Sequence, residues 1–176
     1  MKSDLKGEYQ QLNKRTVQVA ISVLQGLGYA VGIQHIAMGL NKVITNTGLQ
    51  GRWQIIQKQP LVITDTAHNK EGLQLVMDQI AKTSFTDLHL VFGVVKEKNL
   101  NTILAVLPTY ATYYFCAPNV PRAMDADHLM QQAKSYHLKG ETYPSVKEGL
   151  IAAQKAASET DMIFVGGSTF VVAEII

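Results

Sequence analysis

The run Pro60-Leu61-Val62-Ile63-Thr64 and its sequel constrain this chain most. It is apolar and β-branched, as a buried strand is, and its proline stands at the mouth, where no ladder donor is needed. It leads directly into the polar stretch Asp65-Thr66-Ala67-His68-Asn69. Asn69 stands where a helix N-cap belongs, ahead of Leu73, Val76, Met77 and Ile80 at helical spacing. The segment 51–81 therefore reads as strand, break, strand, polar turn and helix. Polar groups gather at the carboxyl end of the second strand, the edge where open α/β sheets bind ligands.

The alternation continues to the end of the chain. Strands are expected over 53–56, 61–64, 88–92, 112–116, 140–143 and 162–165, and helices over 70–81, 99–107, 126–136 and 145–157. Residues 169–175 suit either state. Strand alternating with helix implies right-handed crossovers and a mostly parallel sheet with helices on both faces. Polar turns also follow the strands at Phe92-Gly93 and Val165-Gly166, so three strand ends could meet at one edge.

Residues 1–50 differ. Leu12, Val17, Ala20, Ile21, Val23, Leu24 and Leu27 follow helical spacing, and Gly26 with Gly28 ends that helix. A shorter helix is expected over 33–43, closed by Asn46-Thr47-Gly48. This part carries five basic and two acidic residues, a net of +3; the remainder carries eleven and twelve, a net of −1. Two helices joined by glycines cannot bury both their faces alone. They read as the end of a preceding domain or as a flap on the one that follows.

A total net charge of +2 asks for neither nucleic acid nor an anionic membrane as partner. No apolar run is long enough to span a membrane and no signal-peptide pattern opens the chain. The single cysteine, Cys116, lies in the apolar run Tyr113–Ala117 and reads as a buried structural thiol in a reducing, cytoplasmic setting.

Several residues could carry chemistry, and each has a plainer reading. Asp65 at a strand end could accept hydrogen bonds from the hydroxyls of a ribose or support a cation, or it could order its own turn. His68 could hold a carboxylate or move a proton, or be a turn histidine. Arg52 has the donor fork that suits phosphate, or is simply solvated. Gly166-Gly167-Ser168 could present amides and a hydroxyl to an anion, or make a tight strand exit. Lys96, Glu97 and Lys98 could reach an anion, or be a solvated loop. The P-loop pattern GxxxxGK[ST] occurs nowhere, nor do GxGxxG, GxSxG or HExxH, and the histidines lack metal spacing.

Taken together, the motifs resemble one family. Gly7-x-Tyr9-Gln10-x-x-Asn13, then Gly51-Arg52-Trp53-Gln54, then Asp65-x-Ala67-His68-Asn69 are similar to the rear part of folylpolyglutamate synthase and the bifunctional dihydrofolate synthase, of the Mur ligase superfamily. Phe92-Gly93 leading to Glu97-Lys98-Asn99, Pro121-Arg122-Ala123 and Val165-Gly166-Gly167-Ser168 add to the match.

The resemblance implies a Rossmann-like rear domain and an ATP-dependent amide ligation. ATP phosphorylates a folate or dihydropteroate carboxylate, and the amine of L-glutamate attacks the acyl phosphate. Asn13, Arg52 and Asp65 match positions that contact ATP. His68 and Ser168 match positions linked to glutamate placement, His68 with a catalytic part. Lys98 matches the lysine of an Asp-Lys-Asp motif and is expected to bind substrate.

Two departures stand out: Lys70 replaces the proline that usually follows DxAHN, and the Asp-Lys-Asp motif reads Glu97-Lys98-Asn99. The front domain, with its phosphate loop and magnesium ligands, has no counterpart in the sequence. The expected organisation is therefore a helical tail of that domain over 1–46, a linker over 47–50 and a complete rear domain over 51–176, inactive alone. The alternative is a stand-alone α/β module that binds a nucleotide or acidic metabolite without catalysis.

Overall fold

A computed structural model of the chain describes residues 2–176. Its centre is a six-stranded sheet built from β1 (Gln54–Lys58), β2 (Leu61–Asp65), β3 (Leu88–Phe92), β4 (Thr112–Cys116), β5 (Lys139–Tyr143) and β6 (Met162–Gly166). The order across the sheet is β1-β2-β6-β3-β4-β5. All neighbours run parallel except β1, which is antiparallel to β2. Only Gln59 and Pro60 join those two strands, a link short enough for a hairpin and far too short for a parallel crossover.

The central strands β3 and β6 are buried along their whole length, as a sheet covered on both faces requires. One face packs Ile63, Leu90, Phe92, Tyr113, Phe115 and Phe164 under the apolar sides of α4 (Lys70–Ile80), α5 (Leu100–Leu104) and α6 (Ala126–Lys134). The other packs Val62, Val91, Ile163 and Val165 under α7 (Val146–Ala156) and α8 (Thr169–Ala173). The ambiguous segment 169–175 is thus helical over its first five residues.

The N-terminal segment holds α1 (Gln10–Gly26), α2 (Ile33–Asn41) and α3 (Val43–Thr47). The single helix expected over 33–43 ends at Asn41 because Lys42 leaves helical geometry, with φ −130°, and a new turn begins. Asp4 accepts from the Val43 and Ile44 amides and so caps that turn. Along α1 only Gln10 is buried. Leu12 is 55 % and Val23 58 % exposed, so the apolar residues that mark this helix are mostly uncovered.

Other limits moved by a few residues. The helix expected over 99–107 shortens to Leu100–Leu104, since residues 106 and 107 turn back by tighter i→i−3 bonds ahead of Pro108. The strand expected over 53–56 starts one residue later, because Trp53 has φ +48° and cannot join a ladder.

Candidate functional site

The parallel register sets Asp65 beside Gly166, and Gly166 beside Phe92. The turns after β2, β6 and β3 therefore leave the sheet side by side, as the polar strand ends suggested. Glycine is required here: at Gly93 a Cβ would lie 2.5 Å from the Cys116 carbonyl oxygen, and Gly167, with φ +93°, would set one 2.6 Å from the Gly93 carbonyl oxygen.

Asp65 joins the two most specific motifs. It is 1 % exposed. Its Oδ2 accepts from the Trp53 amide at 2.7 Å and from the Tyr9 hydroxyl at 2.5 Å, and Oδ1 accepts from the Ala67 amide at 2.9 Å. Trp53 can aim its N–H this way because it adopts the left-handed conformation, which is uncommon for a side chain of that size. Gly51 is left-handed too, and a Cβ there would lie 2.7 Å from Thr66 Cγ2. Its carbonyl accepts from the Thr66 amide, Arg52 Nη1 donates to Thr66 Oγ1, and the Gln54 side chain returns to the Gly51 amide. Gly51-Arg52-Trp53-Gln54 and Asp65-Thr66-Ala67 are one interlocked unit. Burial raises the Asp65 carboxyl above the usual carboxylate range, against the pull of Tyr9, Ala67, Trp53 and Arg52.

Arg52 and Asp65 share a cavity of about 110 Å³, also lined by Tyr9, Ala67 and Leu75. Arg52 further lines a neighbouring cavity of about 270 Å³ between Asp4–Lys6, Ile44 and the start of β1. Asn13, on α1, is exposed and lines neither; its amide donates to Gln10 Oε1 at 2.8 Å.

His68, Lys98 and Ser168 meet elsewhere. They line a cavity of about 460 Å³ with Glu97, Arg122 and Phe170. The His68 ring bonds through Nδ1 to the Thr66 carbonyl at 2.9 Å. A carbonyl only accepts, so Nδ1 carries the proton and Nε2 of the neutral ring is left as an acceptor. Ser168 Oγ accepts from the Phe170 amide and caps α8, so it orders the strand exit as well as lining the cavity. Asn69 caps α4 through the Gly72 amide. The wall holds Lys98 and Arg122 against Glu97, a cationic excess that suits a carboxylate or phosphate.

Arg122 is the residue that sequence reasoning left without a role. Its guanidinium lies 4.7 Å from the centre of the Phe170 ring, and its carbonyl accepts from the Lys96 amide, beside an isolated bridge between Val95 and Ala123. The signal present was Pro121-Arg122-Ala123, which shows no link to residues 98 and 168 until the sheet order is known.

Other readings resolve simply. Cys116 is buried and its thiol is pushed up to about 12, by burial first, so it is no nucleophile. Among the described residues, no three His, Cys, Asp or Glu side chains gather to hold a metal, and no helix is long and apolar enough to cross a membrane.

The chain is similar to known proteins along most of its length. The chain is 30% identical, over 89% of its length, to the dihydrofolate synthase/folylpolyglutamate synthase of Escherichia coli, and 29% identical, over 97%, to a probable bifunctional folylpolyglutamate synthase/dihydropteroate synthase of Haloferax volcanii. It spans only 36% and 20% of those two proteins. The solved structure of Escherichia coli FolC in complex with DHPP and ADP superimposes with a TM-score of 0.75 at 27% identity, over 89% of this chain and 36% of that one. Residues 51–169 match the Mur ligase, glutamate ligase domain, and the chain belongs to that family.

Proposed function

We propose that this chain is the rear, glutamate-placing domain of an ATP-dependent folate–glutamate ligase, with residues 51–176 as that domain, 47–50 as its linker and 1–46 as the helical tail of a P-loop front domain. The observation that carries the reading is the division of polar residues at one sheet edge. Arg52 and Asp65 line one small cavity, and His68, Lys98, Arg122 and Ser168 line a separate, larger one.

The larger cavity, about 460 Å³, has room for an amino acid. Lys98 and Arg122 offer charge-assisted hydrogen bonds to the two carboxylates of L-glutamate. Ser168 adds a hydroxyl. His68, with Nδ1 committed to Thr66, has Nε2 available to take a proton from the amine as it attacks. Arg52 carries a fixed positive charge for the nucleotide phosphates, and Asp65 acceptor capacity for a ribose hydroxyl. The cavity they share is too small for a whole nucleotide, which fits a nucleotide held between two domains. Magnesium belongs, on this reading, to the front domain, since the described residues offer no carboxylate cluster for it. ATP, L-glutamate and a folate or dihydropteroate are the partners implied.

The uncovered apolar face of α1 supports a ligase domain over a stand-alone module. A helix that closed its own domain would bury more than Gln10. The test is to assay ATP-dependent glutamate addition by the chain alone and by the chain joined to a P-loop front domain. The joined form is expected to be active and the chain alone inactive; turnover by the chain alone would overturn the reading.

A further inference from the structure

Tyr9 belongs to the N-terminal segment, yet it ends on the carboxylate at the centre of the nucleotide side. We propose that Tyr9 is a positioning residue: its hydroxyl fixes Asp65 so that the carboxylate can meet a ligand hydroxyl, and it ties that half of the site to the helical segment. This rests on the reading that Arg52 and Asp65 face a nucleotide.

The contact is built rather than incidental. Gly7 carries no Cβ, and one placed there would lie 2.7 Å from Tyr9 Cε1, so the glycine two residues earlier is what lets the ring fold back. The ring packs on the core beneath α4. Glu8 is held on both sides of its backbone position. Its amide donates to Oε1 of buried Gln79 at 2.8 Å, and its carboxylate pairs with Lys82 at 2.6 Å. From this anchorage the hydroxyl reaches Asp65 Oδ2, which also takes the Trp53 amide, while Oδ1 takes only the Ala67 amide. Oδ1 therefore retains acceptor capacity, and Asp65 lines the cavity shared with Arg52. Burial and the neighbouring Asp65 raise the phenol above its ordinary value, so it stays a donor at neutral pH. The Gly7-x-Tyr9 spacing thus acquires a physical reason.

The test compares wild type with Tyr9→Phe in the chain joined to a P-loop front domain, by two measurements. The first is the titration of the Asp65 carboxyl carbon by NMR. The second is ADP affinity, followed by the same spectra at millimolar ADP. Losing the donor is expected to move the Asp65 midpoint to higher pH and to weaken ADP about tenfold, the scale of one charge-assisted hydrogen bond. Lys82→Ala, which breaks the exposed pair to Glu8, is expected to leave ADP affinity within about twofold. An unchanged midpoint, or ADP bound as tightly as or more tightly than by wild type, overturns the proposal. An equal loss in Lys82→Ala also overturns it, because docking of the segment and not the hydroxyl would then be responsible. If the joined wild type binds no ADP while the midpoint moves, the nucleotide reading fails and the positioning role falls with it.

Discussion

The two ends of the sheet treat a buried aspartate in opposite ways. At the carboxyl end, burial raises Asp65 above the ordinary carboxylate range. At the amino end, Asp161 is lowered, first by the Ser158 amide. Both side chains have little solvent access, at 1 % and 5 % exposure, but Asp161 follows the exposed turn 158–160, so desolvation weighs most on Asp65 and hydrogen bonds weigh most on Asp161. Asp161 Oδ2 accepts from the Ser158 amide at 2.7 Å and Oδ1 from the Asp87 amide at 3.1 Å, with His89 Nε2 at 3.6 Å. Its own carbonyl accepts from the Leu61 amide. Asp161 thus draws together the entries to β2, β3 and β6, and its negative charge is stabilised by amides and by the histidine beside it. Asp65 lies beside an arginine and a left-handed Trp53, whose backbone conformation costs stability. Strain and an unfavourable charge collect at the edge proposed to bind a ligand; favourable charge collects where these strands begin.

This contrast is sharpest in activity. In the chain joined to a P-loop front domain, Asp65→Ala and Arg52→Ala are each expected to lower turnover by about 10²–10³-fold, as loss of one oriented charge in a closed site does. Asp161→Ala is expected to stay within about threefold, since it lies at the far end of the strands from the ligand edge. Steady-state rates of glutamate addition decide it. Near wild-type turnover in Asp65→Ala would erase the distinction between the two ends.

Much of this was readable from residues alone. The inner strands announce themselves because buried runs such as Leu61–Thr64 and Met162–Val165 are bounded by turn residues, while β1 and β5 at the sheet edges are largely exposed. The N-cap at Asn69 follows from its side chain, whereas Ser145, expected as the first helical residue, proves to be the cap of α7. The mostly parallel pairing follows from the alternation of strand and helix, but the order of the strands is another matter. Nothing local in Met162–Gly166 says that it inserts between β2 and β3, yet that insertion is what brings Ser168 to His68 and Lys98. Arg122 and Tyr9 were quoted within motifs and given no task, because their partners lie 48 and 56 positions away in the chain. The apolar periodicity of α1 was legible, but periodicity reports which face seeks cover and not whether cover is present.

The next effect is on stability, and it reverses the ranking. Asp161→Ala strips the Ser158 and Asp87 amides of their acceptor in a place with little water, and is expected to cost about 1–3 kcal/mol in urea unfolding at neutral pH. The comparison with Asn69→Ala, a plain N-cap loss of about 1 kcal/mol at the ligand edge, shows whether the amino-end clamp exceeds an ordinary cap. A cost for Asp161→Ala no larger than that of Asn69→Ala would reduce the clamp to another turn.

The smallest effect is in pH dependence, where the two aspartates must differ in sign. Asp161 has a folded value below its unfolded value of about 3.9. Its contribution is therefore fully present above that pH and is lost as pH falls through the folded value. Asp65 has a folded value above the unfolded one, so the folded state holds that proton more tightly, and stability from this group declines as pH rises from the unfolded towards the folded value. Urea midpoints measured for wild type and Asp161→Asn across the acid range should converge as pH falls below about 4, because the variant has lost the group whose protonation weakens the fold. For Asp65→Asn the gap to wild type should change in the other direction on the same descent, since wild type regains what ionisation of Asp65 took away. Parallel curves for both variants would mean that neither carboxylate titrates differently in the fold, and the electrostatic contrast between the ends would go with them.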